Sequence, residues 1–227
     1  MTTNTRRPKE GSKQALKSAN TQEAFLKATL DCYVSLGYIL TTTTTVAKHT
    51  GLSRGAMMHH FPSKRALVEA SIDYLNKERI RVFLTEIGKL SKQSRRIVGL
   101  DGLEVYWKLV NSKLYTAYFE LRMASRTDKE LAQILKNADS DFEKVWLEKI
   151  KEVFPEWCEK DTAQLSLAMD LTQSTMEGLA QCHFTNDSEE RKRRVLLYTR
   201  RAIRDIYDVD KIVDIIEGEG PLSNEPR

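Results

Sequence analysis

The stretch TTTTVAKHTGLSRGAMMHHFPSK, residues 42–64, is punctuated like two short helices crossing a sharp turn, with a further helix opening at its end. Met57 and Phe61 are one i,i+4 step apart and share a face, and with Val46, Ala47 and Leu52 they make a small apolar side that must be buried. Gly51 stands where the first helix has to stop in a left-handed residue, which glycine adopts at least steric cost. Ser53 is placed to cap the next helix, leaving Arg54, Gly55, Ala56, Met58 and His59 on or near the outward side. Pro62 ends that helix, and Ser63 caps another. The pattern is a helix-turn-helix.

Working outward, Phe25, Ala28, Cys32 and Leu36 recur at helical spacing from a cap at Asn20 until Gly37 stops the run. After Ser63, Leu67, Ala70 and Tyr74 form one stripe and Val68, Ile72 and Leu75 another, so a long helix is expected to continue past Val82 and Phe83. Residues 1–19 hold almost no large apolar side chain and read as a flexible basic arm able to lie on phosphates or in a minor groove. The polar segment 89–96 suggests a junction. The organisation expected is therefore the arm, a helix-turn-helix domain over 20–66, a helical domain over 67–210 reached by the helix from Ser63, and a flexible tail over 211–227.

The chain has 227 residues, a length for one medium domain with an appendage or for two domains, and 41% of them are hydrophobic, enough for a real core. No apolar run approaches the roughly 20 residues that cross a bilayer, and no signal segment opens the chain, so a cytoplasmic protein without a membrane partner is expected. Residues 1–64 carry nine Lys/Arg and three Asp/Glu, net +6, while the other 163 carry 27 and 29, net −2. Basic charge gathered around a helix-turn-helix is the electrostatic footprint of nucleic-acid binding. Cys32, Cys158 and Cys182, odd in number and set in apolar helical patterns, read as buried free thiols, with redox sensing the minor alternative.

The residues Phe25, Ala28, Gly37, Tyr38, Thr42, Val46, Ala47, Gly51, Leu52, Ser53, Gly55, His60, Phe61, Ser63, Lys64 and Leu67 together resemble the amino-terminal domain of TetR-type transcriptional regulators. The likeness covers about a quarter of the chain. Met58 departs from it, standing where the family has a tyrosine that bonds a phosphate, and Thr43 stands where a core aliphatic is usual; His59 could supply the missing contact. The resemblance implies an all-α protein with two domains, a three-helix DNA-binding domain and a helical bundle for ligand binding and dimerisation. It implies a homodimer on a palindromic duplex operator, most often a repressor released by a small molecule. The DNA-contacting set expected is Thr42, Thr44, Ser53, Arg54, Gly55, Ala56, Met58, His59, His60 and Lys64. Arg54 can bond guanine O6 and N7 together, Gly55 and Ala56 permit close approach or meet a thymine methyl, and Lys64 can hold a phosphate at a helix start.

From Leu100 onward the chain is patterned as helix throughout, with Pro155 the one breaker before Pro221. Residues 101–125 read as a single central helix, Thr127–Glu130 as a capping box opening a short helix through Leu135, Asp139–Phe154 as the next, and Asp161–His183 and Ser188–Tyr207 as the last two. Most of the aromatics and methionines here are core, but the resemblance implies a pocket, and Trp107, Tyr115, Tyr118, Phe119, Met123, Trp146 and Met176 are its expected lining for an apolar or aromatic effector. Glu120, Arg122 or His183 could anchor a polar group. Leu165, Ala168, Met169, Thr172, Met176, Leu179 and Ala180 form a small, apolar stripe expected to make the dimer interface.

No phosphate loop, nucleophile elbow or HExxH motif occurs, so no enzyme activity and no cofactor are expected. Adjacent His59 and His60 point about 100° apart on a helix, which does not suit one metal ion. Asp139, Asp141 and Glu143 read as helix-start carboxylates rather than cation ligands, and Glu189–Arg194 as a solvated face. The rival reading is a helical-bundle enzyme or small-molecule carrier with a merely structural helix-turn-helix.

Overall fold

The computed structural model describes residues 10–90, 100–154, 162–182 and 188–207, and among them every element is a helix. In chain order these are α1 (Glu10–Leu40), α2 (Thr43–Thr50), α3 (Arg54–His60), α4 (Lys64–Gly88), α5 (Leu100–Val110), α6 (Lys113–Ala124), α7 (Lys129–Val153), α8 (Thr162–Gln181) and α9 (Ser188–Tyr207). Among the described residues no helix is long and apolar enough to cross a membrane. Two compact units result: residues up to Arg81 with Ser112–Glu143, and Val82–Asn111 with the residues from Lys144 on.

In the first unit α1 packs on α2 and α6, and α2 on α3. Phe25, Cys32, Val46 and Met57 are fully buried at its centre, with Phe61 and Leu67 beside them, as the spacing predicts. Each of the buried Phe, Val, Met and Leu side chains contributes about 1.5 to 3 kcal/mol relative to exposure. In the second unit α8 packs on α5 and α9.

Several expectations are corrected. The first helix starts at Glu10, not Asn20. Gln14, Ala15, Leu16 and Lys17 are good helix formers that extend an already nucleated helix without burying anything, so residues 13–19 are helical and exposed rather than part of a flexible arm. Leu36 and Leu52 are exposed, not core. Residues 101–125 are two helices, α5 and α6, separated at Asn111–Ser112. Conversely, the two helices expected between Thr127 and Phe154 are one, α7, because Ala138, Asp139 and Ser140 contain neither proline nor glycine to stop it. Asp139, Asp141 and Glu143 are thus mid-helix, and the cap of α7 is Asp128, whose Oδ1 accepts from the Leu131 N–H at 2.9 Å, rather than Thr127. Cys32 is buried, and burial pushes its thiol up, but Cys182 is exposed. Cys158, His183, residues 1–9 of the arm and the tail over 211–227 lie outside the described residues.

Candidate nucleic-acid interface and apolar cavity

Three hydroxyl caps set the helix-turn-helix. Thr42 Oγ1 accepts from the Thr45 N–H at 3.1 Å, Ser53 Oγ from the Ala56 N–H at 3.1 Å, and Ser63 Oγ from the Ala66 N–H at 3.0 Å. Each satisfies a backbone donor that the first helical turn leaves without a partner. Gly51 closes α2 at φ 68, the left-handed geometry expected of it. The Ser53 hydroxyl keeps its proton to offer to a phosphate, whereas Thr42 Oγ1 is also hydrogen-bonded to Thr45 Oγ1 at 2.9 Å.

With the caps in place, Thr44, Ser53, Arg54, Gly55, Met58 and His59 are exposed and Thr42 is half-buried. Two members of the expected set turn inward. Ala56 packs against the Phe25–Met57 core, and the His60 ring lies 6.0 Å from that of Phe25. Both are half-buried, because their helical positions flank Met57 and Phe61.

Lys64 is half-buried and tied to Tyr38, its Nζ 4.3 Å above the Tyr38 ring and 3.5 Å from the Tyr38 carbonyl oxygen. Tyr38 is itself fixed from two sides. Its N–H donates to Glu120 Oε1 at 2.7 Å, and its hydroxyl donates to Asp128 Oδ2 at 3.1 Å. Burial, with the Asp128 carboxylate second, pushes the Tyr38 phenol up to about 12. In the sequence Tyr38 is only one of the residues that carry the family resemblance, and nothing there shows that it holds Lys64.

The seven residues expected to line one pocket are divided between the two units. Tyr115, Tyr118, Phe119 and Met123 belong to the first unit, and Trp107, Trp146 and Met176 to the second. Met123 is exposed. Tyr115 and Tyr118 are occupied by Arg79, a guanidinium only 1% exposed, which lies 4.4 and 4.1 Å from their ring centroids and 4.2 Å from that of Phe142. Arg79 also donates to Tyr115 Oη at 2.9 Å and to Asn76 Oδ1 at 3.1 Å. Here the tyrosines surround a cation of the chain itself. Glu120 is engaged with Tyr38, and Arg122 pairs with Asp139 at 3.0 Å.

A cavity of about 80 Å³ does exist, inside the second unit. Phe83, Gly102, Leu103, Tyr106, Trp146, Ile150, Phe154, Ala168, Met169, Thr172, Gln173 and Ile203 line it, and none of these is charged. Trp146 is the one member of the expected set present. Its ring is 4.5 Å from Phe83 and 6.2 Å from Tyr106, whose hydroxyl donates to Glu177 Oε1 at 3.1 Å. The stripe expected to meet a partner chain faces this interior. Leu165, Ala168, Met176 and Leu179 are buried within the chain and Met169, Thr172 and Ala180 half-buried, because a small, apolar stripe suits close packing on the chain's own helices equally well.

Residues 25–71 match the family model of bacterial regulatory proteins of the tetR family. The helix-turn-helix domain is of the TetR family. An HTH-type transcriptional regulator of Mycobacterium bovis is 21% identical over 124 residues, 55% of this chain, and the chain spans 63% of the length of that relative. Among solved structures, Salmonella enterica GusR is similar with a TM-score of 0.60 at 19% identity, over 82% of this chain and 95% of that one. A transcriptional regulator of Saccharomonospora viridis in complex with choline is similar with a TM-score of 0.55 at 14% identity, over 84% and 97%. At these identities the likeness is one of fold.

Tyr38, Thr42, Ser53, Ser63 and Lys64, which build the scaffold described above, all lie within the matched residues 25–71. The cavity lies beyond the matched stretch. A signal for it was present: Ser112, a cap-type residue after Asn111, marks the break between α5 and α6, and so transfers Tyr106 to one unit and Tyr115 to the other.

Proposed function

We propose that this chain is a ligand-responsive, sequence-specific DNA-binding transcriptional regulator, a repressor that acts in the cytoplasm as a homodimer on a palindromic operator. The observation that carries the reading is the exposed row Thr44, Arg54, Gly55, Met58 and His59 on a helix-turn-helix whose caps, turn glycine and core agree with the TetR-family pattern. Arg54 reads a base in the major groove, Thr42, Ser53, His59 and Lys64 hold phosphates, and Gly55 lets the backbone approach.

The effector is a small, mostly apolar or aromatic molecule held in the cavity around Trp146. A desolvated ion would meet no opposite charge among the described lining residues. That a structural neighbour was solved with choline supports a small-molecule site in this fold.

Dimerisation is proposed through the outward faces of α8 and α9. Leu167, Leu197 and Tyr198 are 52%, 49% and 71% exposed there, a concentration of large apolar side chains that a two-fold partner would cover.

Selection of genomic fragments by the purified full chain, followed by sequencing, tests the central reading. Enrichment of an inverted repeat with half-sites about one helical turn apart, or a simple multiple, is expected. No enrichment over bulk DNA at 100 mM salt would sink it.

A further inference from the structure

The amino-terminal part of α1 is exposed from Lys13 to Asn20, so tertiary burial does not hold it in shape. It nevertheless forms one side of an open groove whose other side is Leu52, in the turn two residues before Arg54. Lys13 and Lys17 both line this groove, one helical step of i,i+4 apart, with Leu16 between them. Neither lysine pairs with a carboxylate among the described residues, whereas Lys27 farther along the same helix is paired with Glu23 at 2.7 Å. Like charges one turn apart oppose helix formation, and a polyanion across them reverses the sign of that effect. Leu16 and Leu52, 62% and 39% exposed, give the groove an apolar floor on which the lysine stems and a sugar can rest.

We propose that Lys13 and Lys17 form a phosphate clamp outside the helix-turn-helix. It holds the duplex backbone beside the bases that α3 reads and contributes affinity without sequence preference. The proposal rests on the DNA-binding reading and adds to it a second contact, built by a helix that reaches roughly 18 Å before the first buried residue, Phe25, at 1.5 Å per residue. Charge complementarity selects the occupant: two unneutralised cations at a groove edge suit a phosphate backbone, and each phosphate neutralised releases a counterion.

The test compares the full-length chain with Lys13→Gln/Lys17→Gln and Lys13→Arg/Lys17→Arg. Fluorescence anisotropy is read on two labelled 30-base-pair duplexes, one carrying the genomically enriched sequence and one scrambled, between 50 and 300 mM KCl. With the glutamines, the slope of log K against log salt should flatten by about 0.9 per lysine, equally on both duplexes, while the enriched-to-scrambled ratio stays unchanged. The arginine pair should keep the full slope. Salt-dependent binding by the wild type together with an unaltered slope in the glutamine pair overturns the clamp alone. Absence of salt-dependent binding by the wild type overturns the regulator reading and the clamp with it.

Discussion

The Tyr38 N–H and Glu120 Oε1 stand 2.7 Å apart because Gly37, at φ 81 and ψ 166, turns that N–H out of the helical ladder and towards α6. A Cβ on Gly37 would lie 3.0 Å from the same carboxylate oxygen. Gly37→Ala therefore combines backbone strain with a tight approach to an oxygen that the Tyr38 N–H holds in place. A loss of about 2 to 3 kcal/mol is expected, since this backbone region is essentially glycine's and costs about 1 to 3 kcal/mol for other residues. Glu120→Ala should cost about 1 to 3 kcal/mol by stranding the N–H. Glu120→Gln, which keeps an acceptor, should cost less. Urea unfolding checks the order; equal stability of Gly37→Ala and wild type would show that the kink relaxes freely.

The same network predicts a stability profile against pH. Tyr38 is pushed up to about 12 and Tyr33, buried and bonded to Ser71 across 3.0 Å, is also raised. Raised tyrosines keep their protons in the folded state, so their contribution is complete below the ordinary value of about 10 and is lost as pH rises through the folded values. Asp128 is held below the usual carboxylate range by the Leu131 N–H first and the Tyr38 hydroxyl next. Its contribution is present above about pH 4 and is lost as pH falls through the lowered value. Tyr38→Phe should flatten the alkaline fall between pH 10 and 12 and leave the neutral plateau's shape unchanged. An unaltered alkaline limb, followed by urea midpoints, would remove Tyr38 from this account.

Arg54→Ala and Lys64→Ala should separate reading from holding. The first should lose about 1 to 3 kcal/mol per contact and relax preference at one base of each half-site. The second should weaken all sequences alike and lower the salt slope by about 1. Because Lys64 also sits over Tyr38, its removal should lower the melting temperature slightly, which Arg54→Ala should not. Competition binding against single-base operator variants decides; an unchanged base profile in Arg54→Ala reassigns the readout to Thr44, Met58 or His59.

What was legible in the sequence follows from how local the cause was. Gly51, Ser53 and Ser63 act on backbone groups within three residues, so their roles could be read from spacing alone, as could the burial of Met57 beside Phe61. The cavity and the inward stripe of α8 depend on which helices meet. Amphipathic spacing shows that Ala168 and Met176 share a face, but not whether that face meets α5 or another chain. Arg79 illustrates the same limit, since nothing near it in sequence announces that Tyr115, Tyr118 and Phe142 will surround its charge.

If the outward faces of α8 and α9 join two chains, Leu197→Glu/Tyr198→Glu should yield a folded monomer. These side chains are exposed in the single chain, so the change places charge where water already is and should leave monomer stability within about 0.5 kcal/mol. Ultracentrifugation at micromolar concentration is the measurement. Operator affinity should fall at least tenfold, because each half-site is then bound alone. A dimer that survives both substitutions uses another surface.

Filling the cavity should silence the effector without touching the operator. Ala168 is buried at its wall, and Ala168→Leu places three more carbon atoms in a space of about 80 Å³. The cost of overpacking, about 1 to 3 kcal/mol, is reduced here because the added atoms enter existing void. Effector affinity should fall at least tenfold, while operator affinity measured without effector stays that of the wild type. We propose α4 as the route of coupling, one helix that carries Lys64 in its first turn and Phe83, a cavity wall, near its end. A ligand that prefers the form of α4 unsuited to DNA needs a differential affinity of only about 1 to 3 kcal/mol, and the operator must then weaken the ligand by the same factor. Titrating a thermal-shift hit into wild type and Ala168→Leu, each with and without operator, reads both quantities. Equal ligand affinity in the two proteins would move the effector site out of this cavity, and equal affinity with and without operator would uncouple it from DNA.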